Sequence, residues 1–462
     1  MRRFELLLIF CGVVTAASPQ VKLDYATYVG TSLAAGVNQF LGMRFAAPPL
    51  GNRRWRAPED PCCLRSTATT LSEDCLFIDV YTPSGASETS KCRTRTPNYN
   101  GTGVIVESGR NIVVVSAFGF LASERVARDG TLNVGLLDQR KALLWVQKYI
   151  SKFGGDPNHV VIHGVSAGLL NRISGCGGSV THHLTAFGGR NDGLFIGAIG
   201  ESVFWPREAP VSGARVPVRL VRRCCRLHQC VRPNSVPPGA KHSTLVAANV
   251  VHPFQGRVSN PDFFYTPTID GDFVQDHLYT LSGREIIRLT PADVTRITQL
   301  YPLRPPLPNH APFFPSAAAA YGEGTFTCPS NFIAAQINRV RQLVWNYRFS
   351  VVQANDAVAG LGVPHATSCD LRPAFIPGGS STTFATTNAP IVPVVMNYWI
   401  SFIRSLNPNP HRFVGTPEWA QFNATNQRRL KFVLDDTHVE EIPVDENMRC
   451  AFWNEIGARI EQ

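Results

Sequence analysis

Three short apolar runs stand out in the first half of the chain, Leu76–Tyr81, Ile112–Val115 and Val160–His163. All are rich in β-branched residues, and the last two are nearly continuous in their hydrophobicity, as strands buried on both faces must be. Between the second and third, Leu136, Leu137, Ala142, Leu143, Leu144, Val146 and Ile150 recur at mixed helical spacing around Trp145, and Gly154-Gly155 close the segment. This is the pattern of a packed helix with a glycine stop. Strand, helix, strand is a crossover unit, and it predicts an α/β protein with a mostly parallel central sheet flanked by helices. Further along, Asn331–Leu343 reads as a helix, Val344–Val351 as a buried strand, and Val392–Leu406 as a helix apolar on most faces that stops before Asn407-Pro408. No period of 20 to 50 residues recurs, which excludes a solenoid or propeller.

Composition adds a compartment and removes some partners. The 462 residues carry 44 Lys+Arg against 34 Asp+Glu, a balance of +10, yet only 17% are charged. That is well under the ~25% of average globular proteins, so charge-driven disorder is excluded. No lysine-rich run, zinc spacing or aromatic RNA-binding signature accompanies the positive surplus, which argues against nucleic acid. Arg2 and Arg3, the apolar run Leu6–Val14 and the small residues Thr15 to Ser18 have the layout of a secretory leader over residues 1–17. One domain, residues 18–462, is expected to follow. No later stretch reaches the ~18 apolar residues that a membrane helix needs, so no stable membrane insertion is expected.

An extracellular, oxidising setting suits the 12 cysteines. Removing Cys11 with the leader leaves an odd number, so at least one thiol stays free or pairs outside the chain. Cys62 or Cys63 can close a loop to Cys75, and Cys224 or Cys225 one to Cys230. Asn100-Gly101-Thr102 and Asn423-Ala424-Thr425 are glycan acceptor sequons. Residues 206 to 261 are Pro- and Arg-rich and read as a solvated surface segment.

The candidate chemistry follows Val160–His163 directly, as Gly164-Val165-Ser166-Ala167-Gly168. Glycines two before and two after a serine suit a sharp strand-to-helix turn, where only glycine lets the neighbouring elements approach. Such a turn presents Ser166 as a nucleophile and aims the Ala167 N–H at a developing oxyanion. The same five residues also occur as a loop serine between two convenient glycines; the position at a strand end favours the catalytic alternative. A serine hydroxyl needs a base, and in the chain order of this fold the histidine comes late. His365, on the Gly- and Pro-shaped loop Gly360 to His365 after the Val344–Val351 strand, is the candidate. Nothing in this chemistry calls for a metal or a cofactor.

At these residues the chain resembles the type-B carboxylesterase and lipase family, which includes the cholinesterases, and is most similar to its secreted fungal-type members. Phe40 to Gly51 with Arg54-Trp55 is similar to the family's opening signature, and Ser72-Glu73-Asp74-Cys75-Leu76 with Val80 to Pro83 to its second. Asn133 to Gln147, Phe153 to Pro157, the serine elbow and Arg449-Cys450-Ala451-Phe452-Trp453 follow in the family's order. The resemblance implies an α/β-hydrolase fold, a small-molecule or lipid ester as substrate, Ser166 as nucleophile and His365 as base. It also makes Cys75 a half-cystine, in keeping with the Cys62 or Cys63 loop. It says nothing of oligomeric state or of which ester is cleaved.

The departures fall on catalytic parts. No His-Gly-Gly-Gly oxyanion segment stands between Pro83 and Ile112, and no Asn-Tyr-Arg follows the next strand. The segment of the triad acid, an Asp-Glu-Gly after a strand, has no room between Tyr279 and Asp293, so two central strand segments of the sheet are expected to be missing. Glu285, Asp356 and Asp370 are available carboxylates, none favoured by spacing, and the acid's role stays empty. Position 165, an acid in the family, is valine, and Leu169 to Gly177 reads as an insertion. Besides an active esterase, the pattern fits a catalytically silent binding member of the fold, or a translation with misassigned exon boundaries.

Overall fold

A computed structural model describes residues 18–61, 74–90, 92–96, 102–110, 112–114, 130–165, 177–203, 205, 267–276, 289–307, 310–365 and 383–460. The strands are β1 Gln20–Lys22, β2 Thr27–Val29, β3 Thr31–Leu33, β4 Val37–Arg44, β5 Phe77–Pro83, β6 Cys92–Thr96, β7 Ile112–Val114, β8 Gly155–Val165, β9 Gly197–Glu201, β10 Tyr347–Phe349, β11 Arg428–Phe432 and β12 His438–Glu441. The helices are α1 Thr102–Glu107, α2 Val134–Tyr149, α3 Gly177–Gly189, α4 Pro291–Leu300, α5 Phe314–Gly322, α6 Cys328–Arg339, α7 Ala354–Ala359, α8 Ile391–Ser405 and α9 Val444–Ile456.

The main sheet has the order β3-β4-β5-β7-β6-β8-β9. Its first four strands are antiparallel neighbours, and β7, β6, β8 and β9 run parallel. The crossover unit read from the sequence is present: β7, α2 and β8 follow one another along the chain, with β6 seated between the two strands. The pleat of β8 sorts its side chains. Ile162 joins Leu143 of α2 and Val180 of α3 on one face, whereas Val161 packs with Ile400 and Ile403 of α8 on the other. A strand covered on both faces has no polar side to show, hence its continuous apolar run.

Two turns explain themselves. After α2, a short 3-10 turn ends at Gly154, whose φ of +79° lies in the left-handed region and where a Cβ would stand 2.6 Å from the Cβ of Ala86. Only glycine satisfies both constraints. The two family-like amino-terminal signatures meet in space, because Arg44 donates to both oxygens of Asp74, at 2.6 and 2.5 Å, with both residues buried. A bidentate pair of this kind needs both partners, which couples the signatures.

The carboxyl-terminal region builds a separate sheet, β10-β11-β12, on its own aromatic core. Tyr398, Trp399, Trp419 and Phe432 contact one another at centroid distances between 5.5 and 5.9 Å. Each such pair adds about 0.5–1.5 kcal/mol beyond the area it buries. Helix α8 is apolar on most faces because it is shared: Ile400 and Ile403 pack on the main sheet, Val395, Tyr398 and Trp399 on the small one. A disulfide, Cys328–Cys450, ties α6 to α9 across 122 residues.

Several expectations shift. Of the two interior breaks expected in the sheet, the first is bridged, since β6 stands between β7 and β8 where an empty position was anticipated. Its sequence, Cys-Arg-Thr-Arg-Thr, offers no apolar run by which to find it. The second coincides with the separation of the two sheets: among the described residues no strand joins β9 to β10, and residues 277–288 lie outside them. The Asn331–Leu343 helix begins three residues earlier, at Cys328, where Pro329 suits a first turn. Only Tyr347–Phe349 of the Val344–Val351 run forms strand, paired with Leu430–Phe432.

Candidate active site

Strand β8 ends at Val165, the residue before Ser166. Ser166 and Ala167 lie outside the described residues, as do Glu285 and Asp370. The next described helix, α3, opens at Gly177, where the inserted segment read from the sequence ends. At its carboxyl end β8 pairs in parallel with β9, His163 opposite Ile199 and Val165 opposite Glu201.

This end of the sheet holds a polar cluster that sequence reasoning missed. The Glu201 carboxylate, 2% exposed, shares a hydrogen bond with His163 Nε2 and accepts another from Trp399 Nε1 at 2.8 Å. His159, two pleats earlier on the same face, bonds the carbonyl of Ile403 through Nε2 at 2.7 Å. The only signal in the sequence was an acid closing an otherwise apolar strand, and that does not say which residues it meets.

His365 stands six residues beyond the end of α7. Gly360 and Gly362, with φ of +70° and +69°, shape the turn that carries it, as the Gly- and Pro-rich segment suggested. A helix, not a strand, precedes this loop, contrary to the sequence reading: after Phe349 the chain turns into α7 instead of continuing along the sheet. The imidazole stacks on Phe326, with ring centroids 3.9 Å apart and planes 23° apart. Phe326 belongs to a π-helical turn, Glu323–Thr327, between α5 and α6. One edge of the imidazole stays open to solvent, but loss of water on the packed side holds its pKa down, to about 4. A lowered value keeps the ring neutral at physiological pH, the state in which it accepts a proton.

His365 and Phe326 line a cavity of about 2500 Å³ that opens between the two sheets, bounded by Ile196–Gly200 on one side and Asn346–Ser350 on the other. Of the candidate acids, Asp356 is buried on α7 and accepts from Gln353 Nε2 at 3.4 Å and Asn355 Nδ2 at 3.3 Å. Glu323, also at the cavity, is held by Arg449 at 2.7 and 2.9 Å and by the Tyr301 hydroxyl at 2.8 Å. Each carboxylate is thus committed to a neighbour other than His365.

Among the remaining candidates, Asn423 is exposed, and its Oδ1 accepts from the Thr425 backbone N–H at 2.9 Å and hydroxyl at 2.8 Å. Cys75 is half-buried; Cys62, Cys63, Cys225, Cys230 and Asn100 lie outside the described residues. The Cys328–Cys450 bridge was not anticipated, since spacing cannot pair cysteines that far apart. Among the described residues there is no cluster of potential metal ligands and no helix long and apolar enough to cross a membrane.

The profile of the carboxylesterase family matches residues 61–292 and 291–453. Secreted lipase 4 of Gibberella zeae is 25% identical, over 93% of this chain and 90% of its own length. Acylcarnitine hydrolase of Rattus norvegicus is 32% identical over 43% of each chain. The crystal structure of Aspergillus niger EstA superposes with a TM-score of 0.85 at 37% identity, covering 96% of this chain and 99% of that one.

Proposed function

The chain belongs to the carboxylesterase family and is by class a carboxylic ester hydrolase, and from that premise we propose that it works outside the cell through a serine nucleophile and an acyl-enzyme. Ser166 attacks the ester carbonyl while His365 takes its proton. The N–H of Ala167 receives charge on the carbonyl oxygen, the alcohol leaves with the proton from His365, and water then releases the acid by the same steps in reverse. The observation that supports this reading is the parallel pair β8 and β9: β8 ends at Val165, one residue before the candidate serine, at the carboxyl edge of an open α/β sheet, the edge where ligands of such folds bind. A neutral imidazole at His365 supports it. The substrate is a small-molecule or lipid ester, in keeping with relatives named secreted lipase 4 and acylcarnitine hydrolase.

The same reading includes a leader over residues 1–17 ahead of one catalytic domain, residues 18–462, glycans on Asn100 and Asn423, and disulfides from Cys62 or Cys63 to Cys75 and from Cys225 to Cys230. The test is a fluorophosphonate probe on the secreted protein. Labelling that disappears in Ser166→Ala is expected; folded protein that takes no label would sink the mechanism. The alternatives are a catalytically silent binding member of the same fold and a translation of the esterase with misassigned exon boundaries. A transcript that matches the chain across residues 84–120, 168–178 and 279–290 would eliminate misassigned boundaries.

A further inference from the structure

We propose that Glu201 is a positioning residue for the nucleophile: it anchors the carboxyl end of β8 through His163 and supplies, from the neighbouring strand, the carboxylate that the chain lacks at position 165. The proposal rests on Ser166 being the nucleophile. Register is the first support, because Glu201 is the ladder partner of Val165. His163 and Glu201 differ in parity from Ile162, so both belong to the face of the sheet that α8 covers, and Trp399 of α8 closes the cluster with its 2.8 Å bond to Glu201 Oε1. Three elements therefore converge on one carboxylate level with Val165, the last residue before the elbow serine.

Energetics is the second support. A carboxylate this deep costs free energy that an apolar side chain of similar size would not, and the hydrogen bonds from His163 and Trp399 offset only part of it. Packing alone does not account for an acid here. What an acid adds is direction and charge: it fixes which nitrogen of His163 carries the proton, locks the strand end against rotation, and places a negative charge beside the sheet edge where an imidazolium forms during acylation.

The experiment compares wild type, Glu201→Gln, Trp399→Phe and Ser166→Ala for fluorophosphonate labelling rate, steady-state hydrolysis of a soluble nitrophenyl ester across pH, and thermal unfolding. Glu201→Gln is expected to remain folded, with labelling and kcat reduced between about tenfold and a hundredfold, KM unchanged and the acid limb of the pH profile displaced. A wild-type rate and profile in Glu201→Gln, with Ser166→Ala unlabelled, overturns the proposal. So does a folded Glu201→Gln whose activity falls only in proportion to a partial loss of folded protein. If Glu201→Gln does not fold, Trp399→Phe, which removes one hydrogen bond and keeps the charge, is expected to slow labelling severalfold, and wild-type labelling in it is again fatal. Labelling that survives Ser166→Ala instead overturns the assignment of the nucleophile.

Discussion

Glu446, on α9 against the small sheet, and Asp138, on α2 against the main one, are 2% and 8% exposed, yet their surroundings differ completely. Glu446 accepts from Arg429 at 2.7 and 3.0 Å, from Arg348 at 3.2 Å and from Asn331 at 3.1 Å, and Arg429 in turn donates to Glu440 at 2.7 Å. Asp138 meets no cation and no hydrogen-bond donor among the described residues, and burial alone pushes its pKa well above the usual carboxylate range. The carboxylate of the carboxyl-terminal region is closed in a network of cations and donors; that of the region carrying the candidate nucleophile is, among the described residues, open. In α/β enzymes the site-bearing edge is where structure is asked to hold unfavourable groups, and here that demand reaches down into the helix behind the sheet.

The largest expected effect comes from opening the closed region. Arg429→Met leaves the buried Glu446 with too few partners and the half-buried Glu440 with Lys431 alone, and should cost about 3–5 kcal/mol in urea unfolding; a loss below about 1 kcal/mol would mean that the network is ornamental. Next in size is the bridge that ties α6 to α9. Cys328→Ser with Cys450→Ser frees a loop of more than a hundred residues and should lower stability by about 2–5 kcal/mol, with β10–β12 the first region to lose hydrogen-exchange protection.

The open region should respond with the opposite sign. Asp138→Asn is expected to stabilise by about 1–3 kcal/mol at pH 7. Because the folded pKa lies above the unfolded value of 3.8, the wild type loses stability as pH rises from about 3.8 toward the folded pKa. The advantage of the variant should therefore vanish near pH 3.5 and grow above it; a constant advantage would point to packing rather than ionisation. Smallest is the effect of Phe326→Ala. Removing the ring on which His365 stacks should move the acid limb of kcat/KM upward, from about 4 toward 6.5, with little change in the plateau.

Much of the site-bearing region was legible because its signals are local. The apolar run Val160–His163 needs both faces covered, and the helix before it shows its packed spacing. The loop around His365 could be read from Gly360, Gly362 and Pro364. What eluded sequence reading was pairing. Arg93 and Arg95 hide a strand whose place is set by backbone hydrogen bonds to β7 and β8, and Cys328 and Cys450 lie too far apart for spacing to join them.

The amino-acid sequence by itself determined the fold class, through the periodicity of its buried strands and packed helices, and nominated Ser166 from its flanking glycines and His365 from the family's chain order. Only the tertiary structure decided that Glu201 faces His163 and Trp399, that among the described residues Glu446 has partners and Asp138 has none, and that no described strand joins β9 to β10. Those outcomes depend on which distant groups share a low-dielectric neighbourhood, and one-dimensional spacing carries no record of such neighbours.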